Sequence, residues 1–162
     1  MIVHHGFGPV FDEQSEVLIL GSFPSVKSRE LSFYYGNRQN RFWDMLFGFF
    51  REEKRESIQD KISFLKEKKI ALWDIVSACT IVGSQDAKLQ AVEISDLTEI
   101  LSHCNLKVIL LNGAKAYELF IKHYDLTVPI CKMPSTSPAN PRYDRDIWWD
   151  TLAKFIQKRE EI

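Results

Sequence analysis

Short apolar runs alternating with helical periods predict an α/β chain, folded as a three-layer α/β/α sandwich around a central, mostly parallel four-stranded sheet. Three observations carry that expectation. Four runs, Val17-Leu18-Ile19-Leu20, Ile70-Ala71-Leu72-Trp73, Lys107 to Leu111 and Val128-Pro129-Ile130-Cys131, are short and largely apolar, as buried strands are. The segments between them space apolar residues three and four apart, the pattern of one helix face. Polar segments rich in glycine and proline follow the strands, where the chain must turn.

In chain order, the first run stops at Gly21. Arg41 to Phe50 then reads as a helix with Phe42, Met45, Leu46 and Phe49 on one side, and Ser57 to Lys68 as another with Ile58, Ile62 and Leu65. After the second strand a polar loop carries Gly83, Ser84 and Gln85, and a helix is expected around Ile94 to Ser102. Lys107 to Leu111 is the clearest interior strand and runs through Asn112-Gly113 into a helix bearing Ala116, Leu119 and Phe120. Pro129 cannot donate to a sheet ladder, so it marks the fourth strand as an edge or an irregular start. The last helix starts near Asp144 and carries Trp148, Leu152, Phe155 and Ile156 at helical spacing.

Without an internal repeat or a linker, 162 residues are expected to form one domain over 1–162, large enough for a real core. The net charge of −1 excludes a global field that would draw the chain to nucleic acid or membrane, so any such contact must come from a local patch. Cys79, Cys104 and Cys131 are scattered and fit buried thiols better than a disulfide framework. The N-terminus lacks the features of a signal peptide, and no apolar run approaches the roughly 20 residues of a membrane span. A cytoplasmic monomer without membrane contact is expected.

In open parallel sheets the ligand crevice lies beyond the carboxyl ends of the strands. Here the polar segments 21–41, Asp74 onward, Asn112-Gly113 and 133–142 all follow strand ends and converge on one candidate site. Within the first lies Phe33-Tyr34-Tyr35-Gly36-Asn37-Arg38-Gln39-Asn40-Arg41-Phe42-Trp43. It is too polar to bury and too aromatic for ordinary surface. Such groups suit stacking on a flat ring, reading its edge and holding phosphates, as recognition of an extruded nucleobase requires. Lys27, Arg29, Arg38, Arg41, Lys132, Arg142 and Arg145 flank these loops and supply local positive charge. Each residue also has a plainer reading: Asn40 as a helix cap, Asp74 as a structural acceptor, Ser135, Ser137 and Asn140 as turn formers, and His4 and His5 as solvated or loop-packing residues. Neither G-x-G-x-x-G nor a Walker lysine motif occurs, which argues against other α/β nucleotide-binding enzymes.

The order Gly21-Ser22-Phe23-Pro24, Asn40-Arg41-Phe42-Trp43, Leu111-Asn112-Gly113 and Pro134-Ser135-Thr136-Ser137-Pro138 resembles the uracil-DNA glycosylase superfamily, most closely its hypoxanthine-DNA and mismatch-specific branches. The likeness extends from about Gly6 to Pro141. It implies a monofunctional DNA glycosylase of base excision repair, hydrolysing the N-glycosidic bond of a deaminated base, preferentially hypoxanthine. Its partner would be DNA holding a damaged or mismatched base, and it would use water with no cofactor or metal. Phe23 stands where the superfamily usually has an aspartate or asparagine before the proline, and Met133 where a histidine or asparagine often precedes Pro-Ser. The hypoxanthine branch is similar in lacking the first of these and relies on asparagines, matched here by Asn40 and Asn112.

The implied catalytic residues are therefore Asn40, placing water, and Asp74, at the strand end where relatives often put a base-reading amide. Tyr35 aligns with the stacking aromatic of the mismatch-specific branch. Asn112 would read the edge of the base, with Phe23 and Tyr34 as further base contacts. Ser25, Lys27, Arg41, Ser135, Ser137 and Asn140 are the expected phosphate contacts. Two alternatives stay open: a uracil or G:U mismatch-specific glycosylase, and a non-catalytic nucleic-acid-binding module of the same fold.

Overall fold

The computed structural model describes residues 2–82 and 88–156. It begins with β1 (Ile2–His4), β2 (Val17–Gly21), α1 (Val26–Leu31), α2 (Phe42–Phe49) and α3 (Ile58–Glu67). Then come β3 (Ile70–Asp74), β4 (Val76–Val82), β5 (Lys88–Ile94) and α4 (Thr98–His103). The chain closes with β6 (Val108–Asn112), α5 (Ala114–His123), β7 (Ile130–Met133) and α6 (Arg145–Phe155).

The four expected strands form one parallel sheet in the order β3-β2-β6-β7. Its interior strands β2 and β6 are buried along their whole length, which is why they read as unbroken apolar runs. Side chains of a strand alternate between faces, and two cores result. Val17, Ile19, Ile70, Leu72, Val108 and Leu110 pack under α2, α3 and α6, with Phe42, Phe47, Phe64 and Trp148 filling the layer. Leu18, Leu20, Ala71, Ile109 and Leu111 pack against α4 and α5 through Leu97, Ile100, Ala116 and Phe120. This is the α/β/α sandwich that the sequence predicts. Pro129 lies just before the edge strand β7 and only accepts, from Ile109 N–H at 2.9 Å.

Helix starts follow local capping chemistry. Ser57 accepts from Asp60 N–H and Asp144 from Asp146 N–H, so α3 and α6 begin where the sequence places them. The expected helix at 94–102 starts only at Thr98, because Ile94 completes β5 and Ser95 turns inward. Within the polar segment 21–41 lies α1, a six-residue helix capped by Ser25 that the sequence pattern does not announce. A second sheet, the antiparallel β1-β4-β5, is absent from the sequence expectation. Its period-2 signal is broken by register shifts in the β4–β5 pairing and by Ala91 at φ 48°. The expected loop residues Gly83, Ser84 and Gln85 lie outside the described residues. Among the described residues, no helix is long and apolar enough to cross a membrane.

The second sheet has a positional consequence. β4 leaves β3 after a single residue, Ile75, and β1 runs antiparallel to it, with His4 opposite Ala78. His5 N–H then donates to Ser77 O at 2.8 Å. The N-terminal strand therefore ends at the carboxyl edge of the parallel sheet, beside Asp74.

Candidate active site

The carboxyl ends of β2, β3 and β6 deliver Gly21, Asp74 and Asn112 to one cavity of about 210 Å³. Register puts Gly21 directly beside Asp74. The loop after β2 contributes Ser22 to Ser25, the aromatic segment contributes Tyr34, Tyr35 and Asn40, and the loop after β7 contributes Ser135, Thr136 and Ser137. The convergence expected from strand ends is thus present.

Asp74 sits at the floor, 4% exposed. Its Oδ2 is 2.7 Å from His5 Nε2, and its carbonyl accepts from Ser95 Oγ–H at 2.7 Å. Its Oδ1 crowds the bare Cα of Gly21, where a Cβ would fall far inside contact distance and also 3.2 Å from the Tyr35 hydroxyl. Of the two plain readings of His5, the structure shows loop packing and not solvation, and adds a buried bond to Asp74. His5 is 3% exposed, with ring centroids of Phe7 and Trp73 at 4.3 and 4.6 Å and that of Phe23 at 6.2 Å, its plane perpendicular to the imidazole. No motif marks it, because its partner is 69 residues away.

Tyr35 lines the cavity in a left-handed conformation (φ 53°), with Phe42 stacked behind it at 4.0 Å. A non-glycine residue there is held by its surroundings. Gly36 N–H donates to buried Ser28 Oγ at 2.9 Å, and Asn112 Nδ2–H donates to the Tyr35 hydroxyl at 3.2 Å. Tyr34 is buried, and its hydroxyl donates to Gly8 O at 2.7 Å, so only part of its ring borders the cavity. Burial first, and the nearby Asp74 charge second, push both phenols far above the ordinary tyrosine range. Phe23 also lines the cavity, with the Arg29 guanidinium 5.6 Å from its centroid.

Asn112 uses both ends of its amide internally. Its Oδ1 accepts from Thr136 N–H at 3.1 Å, and Nδ2 donates to Thr136 Oγ1 at 3.1 Å as well as to Tyr35. Asn112 thereby fixes Thr136 and Tyr35 while lining the cavity, and one lone pair of Oδ1 stays unused among the described residues. Thr136, 1% exposed, is a site residue that sequence reasoning passed over between its two serine neighbours. Asn40 accepts from Phe42 N–H at 2.9 Å, one position before Arg41, which is the cap residue of α2 instead of the expected Asn40; that bond leaves the Asn40 amide NH2 without a protein partner among the described residues. Asn40 remains half-exposed on the cavity wall.

The loop after β7 is braced from two sides. Arg41 donates through Nη2 to the carbonyls of Ser137 and Asn140, and its backbone N–H reaches Thr136 O at 3.1 Å. The Arg41 guanidinium also lies 4.3 Å over Tyr143. Asn140 donates to Ser135 O and accepts from Arg142 N–H, so its side chain organises the loop. Ser135 Oγ and Ser137 Oγ each accept from a backbone N–H two residues on, and neither hydroxyl hydrogen has a partner among the described residues. Ser25 caps α1 at the cavity mouth, and exposed Lys27 follows, 3.9 Å from Glu30. Met133 is buried and offers only its carbonyl, which accepts from Gly113 N–H at 3.0 Å. A wider groove of about 600 Å³ continues past Ser135, Ser137 and Asn140 to Lys132 and Arg142.

Comparison with known proteins agrees with this geometry. The model of the uracil DNA glycosylase superfamily matches residues 9–157. A hypoxanthine DNA glycosylase of Methanosarcina acetivorans is 34% identical over 157 residues, covering 93% of this chain and 98% of that protein. One from Methanosarcina barkeri is 36% identical over 141 residues, covering 85% and 88%. The solution NMR structure of a candidate uracil DNA glycosylase from M. acetivorans superposes with a TM-score of 0.81 at 35% identity, covering 94% of this chain and 96% of that one.

Gly21→Ala must push Asp74 away from its pairing with His5, and overpacking of this kind costs about 1–3 kcal/mol, read by urea denaturation. The raised phenols mean that the folded state keeps protons which the unfolded chain releases above about pH 10. Their contribution is complete below that pH and declines as pH rises past it. Stability measured by denaturation from pH 8 to 11 should therefore fall at the alkaline end, and Tyr34→Phe should flatten the decline.

Proposed function

The chain belongs to the uracil DNA glycosylase superfamily, and from that premise we propose that it excises hypoxanthine from DNA containing deoxyinosine, leaving an abasic site for base excision repair. Asp74 at the cavity floor carries the reading. A carboxylate accepts hydrogen bonds and donates none, so it favours a ring that presents an N–H there. Hypoxanthine does so at N1, between a carbonyl and a C–H. The hypoxanthine DNA glycosylases of both Methanosarcina species support the choice of base.

The reaction passes through an oxocarbenium-like sugar while negative charge moves onto the departing ring. Extruding the nucleotide costs a few kcal/mol, and stacking on Tyr35, backed by Phe42, returns about 1–3 kcal/mol. A negative Asp74 beside the leaving ring opposes anion build-up, so its role is recognition. Donors must come from elsewhere. The free NH2 of Asn40 is the group suited to that, holding either the departing ring or the attacking water. Phe23 and Met133 give the cavity no acid or base at the positions they occupy, which leaves water placement to the amide. The hydroxyls of Ser135 and Ser137, with Lys132 and Arg142 along the wider groove and exposed Lys27 two residues beyond Ser25, form the phosphate-binding surface. Arg41 and Asn140 act on it indirectly, by bracing the loop.

Uracil is the second reading, favoured by the same observation, since its N3–H also lies beside a carbonyl. Duplexes carrying deoxyinosine, uracil or xanthine, treated with alkali after incubation, separate the readings. Strand breaks at deoxyinosine are expected, with Asn40→Ala slower by about 100-fold while duplex affinity is retained. Breaks confined to uracil would select the second reading. Binding without cleavage on all three would leave a non-catalytic module.

A further inference from the structure

We propose that His5 is a positioning residue: its Nε2–H grips one oxygen of Asp74, so that the other stands as a fixed acceptor for the lactam N–H of the extruded base. The inference rests on the hypoxanthine reading above and names the device that distinguishes a deaminated base from its parent. Deamination turns adenine into hypoxanthine and cytosine into uracil. In both cases a ring nitrogen that carried only a lone pair becomes an N–H beside a carbonyl. An acceptor-only group held against that nitrogen welcomes the product of deamination and repels the undamaged base.

The geometry supplies each part. His5 is enclosed by Phe7, Trp73 and Phe23, so its ring has little freedom, and Nε2 lies 2.7 Å from Asp74 Oδ2. Its other nitrogen, Nδ1, is buried and has no hydrogen-bond partner among the described residues. A neutral imidazole carries one hydrogen. Placing it on Nδ1 would bury a donor without an acceptor, the costlier arrangement, so the hydrogen belongs on Nε2. Asp74 then serves His5 as an acceptor through Oδ2 and keeps Oδ1 for the cavity. Gly21 leaves space for Oδ1, and the Ser95 hydroxyl fixes the Asp74 main chain.

This arrangement predicts an unusual interaction between two substitutions. In Asp74→Asn, His5 Nε2–H takes the amide oxygen and turns the NH2 toward the cavity, donor against the N1–H of hypoxanthine. Adding His5→Phe keeps a ring in the aromatic cage and frees the amide to present its oxygen again. Single-turnover excision of deoxyinosine, with enzyme in excess, should fall about 10-fold in His5→Phe and at least about 100-fold in Asp74→Asn. The double variant should be about 10-fold faster than Asp74→Asn alone. A purely structural role would make the double variant the slowest of the set, and that result overturns the proposal, as does His5→Phe at the wild-type rate.

A second measurement is independent of folding in the variants. Nitrogen-15 NMR of the wild-type ring should show hydrogen on Nε2 and a bare Nδ1; hydrogen on Nδ1 contradicts the assignment. Wild-type excision of deoxyinosine tests the underlying reading separately. If only uracil is cleaved, that reading falls, and the same comparison on uracil decides the role of His5 through its N3–H.

Discussion

The bond between His5 and Asp74 is a buried polar tie between two sheets that also share an apolar core, where Val76 and Cys79 of β4 pack with Leu18 and Leu20 of β2. Asp74 ends a strand of the parallel sheet, and His5 follows the edge strand of the antiparallel one. Burying a carboxylate is expensive unless its oxygens are satisfied. Here one oxygen has His5, the carbonyl has Ser95, and the other oxygen borders the cavity where a ligand can meet it. Replacing the pair with apolar side chains would cost a fold of this kind little. Its physical interest is therefore in function: in the proposed reading it orients an acceptor whose second oxygen waits for a donor on the base.

Around that floor the remaining polar groups divide into those that hold and those that reach. Asn112, Arg41 and Asn140 spend hydrogen bonds on loop backbone or on Tyr35 and Thr136. The NH2 of Asn40 and the hydroxyl hydrogens of Ser135 and Ser137 are left for a ligand. The loops are braced before any nucleic acid binds, which lowers the ordering cost of recognition. With a net charge of −1, the chain has no global positive field, and the wider groove carries Lys132 and Arg142 as local positive groups.

Much of this was legible in the sequence because it depends on local chemistry. Val17 to Leu20 and Val108 to Leu111 read as buried strands since both their faces are covered. Ser57 and Asp144 mark helix starts by their own hydrogen bonds. Asp74 and Asn112 stand out as polar groups ending apolar strands, and Tyr35 and Asn40 because they lie in a segment that mixes aromatics with amides and arginines. What stayed hidden depends on contacts distant in sequence. His5 acquires a role only when β1 pairs with β4, and that sheet announces itself poorly through a bulged, half-polar pattern. Arg41 looked like a phosphate ligand because its acceptors are carbonyls, which every residue carries. Sequence offers no sign that three of them gather around it.

The central claim is that Asp74, oriented by His5, reads the lactam edge of the base above the Tyr35 ring. A crystal structure of the protein with DNA and the excised hypoxanthine tests it most directly. The account predicts N1 of the base within hydrogen-bond distance of Asp74 Oδ1, the purine lying against Tyr35, and Oδ2 still bound to His5. A base whose N1 faces Asn112 or solvent, with Asp74 turned away from it, would contradict the account.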